Sequence, residues 1–110
     1  MTIFKKIIDR EIPADIVFED DRVLAFRDIN PEAPTHILII PKKPLVAIGN
    51  MEDADEAMVG YLMHRAALIA KSEGLDDYRL VTNNGAGAGQ SVFHLHVHIL
   101  GGRPFAWPPG

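Results

Sequence analysis

Apolar residues recur along this chain at two spacings. Ile3, Phe4, Ile7 and Ile8 repeat every three to four positions, as one face of a helix does, and Thr2 offers a hydroxyl to cap the first turn. Pro13 lies beyond the end of that short helix. A longer run, Met51 to Glu73, carries Met58, Val59, Leu62, Met63, Ala66, Ile69 and Ala70 as a stripe. Its first turns are crowded with Glu52, Asp53, Asp55 and Glu56, and Lys71 lies in the last turn; both suit the helix dipole. Gly74 is a natural stop.

The remaining apolar segments are short and strand-like. Ile16–Phe18 and Val23–Phe26 flank the acidic turn Glu19-Asp20-Asp21 and predict a hairpin. Asn30-Pro31-Glu32-Ala33-Pro34 breaks the pattern, because proline cannot donate to a ladder. His36–Ile40 predicts a third strand, closed by Pro41 and Pro44, Tyr78–Thr82 a fourth and Phe93–Leu100 a fifth. Gly85-Ala86-Gly87-Ala88-Gly89 is too flexible for either helix or strand. Strands do not alternate strictly with helices, so the expected class is α+β, with a mostly antiparallel five-stranded sheet and two helices. The 110 residues form a single domain, with 101–110 as a C-terminal tail ending Trp107-Pro108-Pro109-Gly110.

Composition narrows the functional classes. Net charge is −4, so the general positive field that holds a nucleic-acid backbone is missing and a small ligand is expected. The longest aliphatic stretch, residues 37–40, is far short of a membrane span, and the N-terminus has no signal-peptide core. The expected location is cytoplasmic. With no cysteine, disulfides and thiolate chemistry are excluded.

His94-Leu95-His96-Val97-His98-Ile99-Leu100 is the most informative segment. Strand alternation turns the three imidazoles one way and Leu95, Val97 and Ile99 the other. A metal reading meets a geometric difficulty. His94 and His98 would lie about 13 Å apart along a strand, too far to share one ion without leaning sharply inward. His36 could join a set, but no carboxylate shows a ligand pattern, and no metal is expected. Solvent-facing histidines are the plain alternative. The third reading is nucleophilic: a neutral imidazole attacks phosphorus while its neighbours disfavour its protonation and donate to oxygens or the leaving group. His96, with a partner on each side, is the candidate nucleophile.

Other residues carry weaker signals. The glycine loop is neither a Walker A loop nor a dinucleotide fingerprint. Its glycines could let backbone N–H groups approach a phosphate, with Gln90 and Ser91 adding donors, or it is a mobile connection. His64 is expected to be structural and partly exposed. Lys42 and Lys43 form either a basic rim or a solvated strand end. Asp28, at a strand end, is suited to accept the hydroxyls of a ribose.

The His-φ-His-φ-His-φ-φ motif resembles the histidine triad (HIT) family. Phe18-Glu19-Asp20-Asp21, Ala33-Pro34-Thr35-His36, Ile40-Pro41-Lys42-Lys43, Gly89-Gln90-Ser91-Val92 and Trp107-Pro108-Pro109-Gly110 are similar to its branch of histidine triad nucleotide-binding proteins. The resemblance runs from about residue 2 to the end. It implies a HIT-like fold and a purine nucleoside phosphoramidase acting through a nucleotidyl-histidine without a cofactor. By position, His96 is similar to the nucleophile, His94 and His98 to its flanking histidines, and His36 to an upstream supporting one. Asp28 and Ile29 match ribose contacts; Asn83, Gly89, Gln90, Ser91 and His98 match phosphate and leaving-group contacts. Ile3, Phe4, Ile7, Phe26, Ile29 and Leu38 match the base pocket. The resemblance also implies a homodimer with a ten-stranded sheet, the tail reaching toward the partner's site. Two further readings stand beside it: a diadenosine polyphosphate hydrolase, disfavoured by the Trp-Pro-Pro-Gly tail, and a non-catalytic nucleotide-binding scaffold.

Overall fold

The computed structural model describes residues 1–110. Helix α1 spans Ile3–Ile8, and its first turn is capped by the Thr2 hydroxyl, which accepts the Lys5 N–H at 3.1 Å. Strands β1 (Ile16–Glu19), β2 (Val23–Arg27), β3 (Thr35–Pro41), β4 (Tyr78–Val81) and β5 (Val97–Gly101) form one sheet in the order β1-β2-β3-β5-β4. Every neighbouring pair is antiparallel, so the sheet is wholly rather than mostly so. The β1–β2 turn is built as its acidic residues suggest. Asp20 accepts the N–H groups of Arg22 and Val23, both at 2.8 Å, and also the hydroxyl of Tyr61.

Helix α2 spans Glu56–Ser72 and is shorter than the run 51–73. Its start is displaced by a 3₁₀ turn, Asp53–Asp55, in which the Asp55 carboxylate accepts the Glu52 N–H at 2.9 Å and pairs with Lys43. Gly74, at φ +77°, ends the helix as expected, with the Leu75 N–H turned back to the Ala70 carbonyl at 3.0 Å. Of the predicted stripe, Leu62, Ala66, Ile69 and Ala70 are buried, while Met63 lies exposed on the outer side.

Alternation sorts the strands onto two faces. Val23, Ala25, Ile37, Ile39, Leu95, Val97 and Ile99 join α2 in one apolar core. Leu24, Phe26, Leu38 and Ile40 pack with Phe4 and Ile7 of α1 on the other. Both faces of β2 and β3 are covered, which is why these strands read as continuous apolar runs.

Two local expectations are overturned. The fifth strand begins at Val97 rather than Phe93, since residues 92–94 form a bend. Ahead of the ladder, the Leu95 N–H donates to the Leu45 carbonyl at 2.6 Å and the His96 carbonyl accepts the Thr82 hydroxyl at 2.8 Å. The alternation of side chains survives, because an extended backbone sets it with or without a ladder. The glycine loop, in turn, contains a 3₁₀ turn, Ala86–Ala88. The buried Gln90 side chain pins it, accepting the Gly85 N–H at 2.8 Å and donating to the carbonyls of Val46 and Val92 at 2.7 and 3.1 Å. Finally, no helix is long and apolar enough to cross a membrane.

Candidate active site

A cleft of about 470 Å³ opens on the α1 face of the sheet. Ile3, Phe4 and Ile7 of α1, Phe26 of β2 and Leu38 of β3 make its apolar wall, and Asp28, Ile29 and Ser91 lie on its lining. At its polar end stand His36, His96 and His98. Ile29 is 90% exposed, an apolar side chain at the mouth with nothing of its own chain to cover it. Sequence reasoning missed Ile12, Pro13, Ala14 and Val92, which complete the apolar end. No periodicity marks them, because 12–14 is a connection and Val92 lies in the bend.

The protonation of the histidines follows from their partners. His96 is buried, and its Nδ1–H donates to its own chain at the His94 carbonyl, 2.8 Å away. That leaves Nε2 as the nitrogen with a free lone pair on a residue lining the cleft. Phe4 stands edge-on against the ring, with centroids 4.9 Å apart, and limits its rotation. His36 Nδ1 accepts the Glu32 N–H at 3.0 Å, so a neutral His36 carries its proton on Nε2. From there it donates to His98 Nδ1 at 2.9 Å, with Asp28 Oδ2 at 3.5 Å. His98 therefore carries its own proton on Nε2. The cleft is offered one imidazole lone pair and one imidazole N–H.

Burial keeps His36, His98 and His94 neutral. It pushes His36 below the usual imidazole range against the pull of Asp28 and Glu32. Burial first, and then the neighbouring His96 and His36, lower His98 to about 4. His94 is also lowered chiefly by burial, but it stands apart from the cleft. Its Nε2–H donates to the Pro41 carbonyl at 2.8 Å, and its ring lines a separate hollow with Thr2, Lys5 and Phe93. The three imidazoles share a sheet face but not a site. His94 reaches His96 through its backbone carbonyl rather than its ring.

Other residues singled out in the sequence fall outside the cleft's lining. Gln90 spends its amide on the backbone, and Asn83 lies beside Gly89. Lys42 pairs with Glu19 at 2.8 Å and Lys43 with Asp55, so neither forms an anion rim. His64 is exposed on α2.

Asp28, His36 and His98 bring three donor atoms within 4.8 Å of one another, a grouping invisible in the sequence because it spans two strands and a loop. As arranged it does not suit a metal. A ligating His36 would need a lone pair at Nε2, while its Nδ1 lone pair already accepts the Glu32 N–H.

The molecule is thus a small α+β domain whose antiparallel sheet carries a histidine-centred cleft. A family model described as the HIT domain matches residues 9–105. An uncharacterised HIT-like protein of Synechocystis sp. is 60% identical over 110 residues, covering 99% of this chain and 96% of that protein. A 14 kDa zinc-binding protein of Zea mays is 56% identical over 112 residues, covering 99% of this chain and 88% of that protein. The crystal structure of a HIT family hydrolase from Legionella pneumophila matches with a TM-score of 0.97 and 51% identity, covering 100% of both chains. This chain belongs to the HIT domain family. Its likeness to HIT family hydrolases supports a hydrolase at the level of reaction class.

Proposed function

We propose that this protein is a purine nucleoside phosphoramidase of the histidine triad nucleotide-binding branch, using His96 as its nucleophile. The observation that carries the reading is the His96 Nδ1–H bond to the His94 carbonyl, which leaves Nε2 as the nitrogen with a free lone pair on a ring that lines the cleft. The base lies between Phe4, Ile7, Phe26 and Leu38, as an apolar slot favours a flat aromatic ring. The ribose hydroxyls reach Asp28 beside the exposed Ile29, and Ser91 faces the phosphate.

In the first step Nε2 attacks phosphorus and the P–N bond breaks. The departing nitrogen takes its proton from solvent at the open mouth, while His98 Nε2–H, which stays on its neutral ring, donates a hydrogen bond to the phosphate oxygens. Water then hydrolyses the nucleotidyl-histidine, releasing the nucleoside monophosphate and regenerating the imidazole. Acyl-adenylates suit the same two steps. No metal or cofactor takes part, and zinc, which belongs to the maize relative's name, has no step here. The working unit is a cytoplasmic homodimer in which residues 101–110 approach the partner's cleft.

The test is to incubate the purified protein with adenosine 5′-phosphoramidate, follow AMP release, and look by mass spectrometry for an adenylyl adduct on His96 in quenched samples. AMP release with that adduct supports the reading. Faster turnover of diadenosine polyphosphates, or tight AMP binding without turnover, would replace it by the corresponding alternative.

A further inference from the structure

The donor that His98 offers depends on His36, and His36 depends on one peptide N–H, that of Glu32. Glu32 lies in a loop with prolines at 31 and 34, neither of which can donate a backbone hydrogen bond. Its anchor comes from the far end of the chain. Arg103, just beyond β5, directs Nε and Nη2 onto the Glu32 carbonyl at 3.2 and 2.9 Å, while Nη1 reaches the Pro104 carbonyl at 3.0 Å. The Phe105 ring covers this guanidinium at 4.3 Å, and on Phe105 also rests Arg79, at 5.2 Å, which donates to the Ala106 carbonyl at 3.0 Å. Gly102 permits the approach: at φ +92°, a Cβ there would meet the Pro34 Cβ at 2.8 Å.

We propose that Arg103 is a positioning residue: its two-pronged grip on Glu32 holds the N–H that sets the tautomers of His36 and His98. Arg103 touches no reacting atom. Its fork fixes residue 32 in a way that a single-point donor does not, because two converging N–H bonds define a direction as well as a distance. The Phe105 cover makes the grip part of how the start of the C-terminal tail seats on its own protomer. The chemical role assigned to His98 rests on the phosphoramidase reading, but the tautomer effect does not.

The experiment compares wild type with R103A, R103K and R79A. Ring-nitrogen NMR shifts report the tautomers of His36 and His98, and turnover of adenosine 5′-phosphoramidate reports the chemistry. In R103A the Nδ1 and Nε2 signals of both rings move toward mixed tautomers, and kcat falls about three- to tenfold, the scale of one hydrogen bond, while KM holds. R103K recovers part of both, and R79A, which leaves the grip intact, moves neither. Unchanged tautomers in folded R103A, or a loss of kcat without a tautomer change in R103A and R103K, would overturn the proposal. Shifted tautomers in a protein whose wild type turns over no phosphoramidate uphold the grip and refute only the phosphoramidase reading.

Discussion

The two faces of one sheet have been put to opposite uses. Against α2, Val23, Ala25, Ile37, Ile39, Leu95, Val97 and Ile99 make an apolar core. Against α1, the strands and the segment just ahead of β5 supply Phe26, Leu38, His36, His96 and His98, and the packing is left open as a cleft. The covering helices differ in length: α2 has 17 residues and lays Leu62, Ala66, Ile69 and Ala70 along its face, whereas α1 has six and leaves the cleft open beside it. Stability and chemistry are separated by the thickness of one strand.

That separation can be broken deliberately. The largest effect belongs to H96N, which removes the nucleophile; phosphoramidate turnover falls by about 10⁴-fold or more. The urea midpoint should hardly move, and an active H96N would end the assignment of the nucleophile. On the opposite face, L62A opens a cavity in the sealed core and costs about 2–5 kcal/mol of unfolding free energy. Measured below its melting temperature, L62A keeps the wild-type kcat; a large drop would show that the two faces are coupled.

Smaller changes sharpen the contrast. D28N weakens one charge-assisted hydrogen bond to the ribose, so KM rises about tenfold with kcat little altered. Equal effects on a substrate lacking both ribose hydroxyls would remove Asp28 from that role. Acid sensitivity is the gentlest probe. Unfolded histidine takes up its proton near pH 6.5, whereas His98 in the folded state resists until about pH 4. Between those values the unfolded chain binds more protons, so unfolding free energy falls as pH drops through that window. His36 and His94, also lowered by burial, add to the slope. Below it, Asp55, held low by the Glu52 N–H and then by Lys43, extends the loss. Urea midpoints between pH 7 and 4 should trace this decline, with a shallower slope in H98N. A flat profile would contradict neutral burial of the rings.

Much of the fold was legible because it is locally encoded. Thr2 and Gly74 cap their helices through neighbouring backbone groups, and Asp20 builds its turn from N–H groups two and three residues away. Where the structure departs from local pattern, the causes are distant. Residues 93–96 look like strand, yet Leu95 donates to Leu45 and His96 accepts from Thr82, so β5 starts late. The glycine loop looks mobile, yet Gln90 folds back to brace it.

The same division runs through the site. Alternation along an extended backbone is a property of consecutive residues, so the sequence alone put His94, His96 and His98 on one face and singled out His96. The apolar wall of Phe4, Ile7, Phe26 and Leu38 was legible only through the family resemblance, because periodicity assigns these residues to a helix and two strands without bringing them together. Only the tertiary structure decided which nitrogen carries each proton. That choice rests on the His94 and Pro41 carbonyls, the Glu32 N–H and the His36–His98 pair, partners lying from two to 62 residues apart in the chain. The His94–Pro41 and His36–His98 contacts are brought together by folding, and none of the four has a signature in sequence spacing, because a hydrogen bond depends on distance and direction in space rather than on separation along the chain.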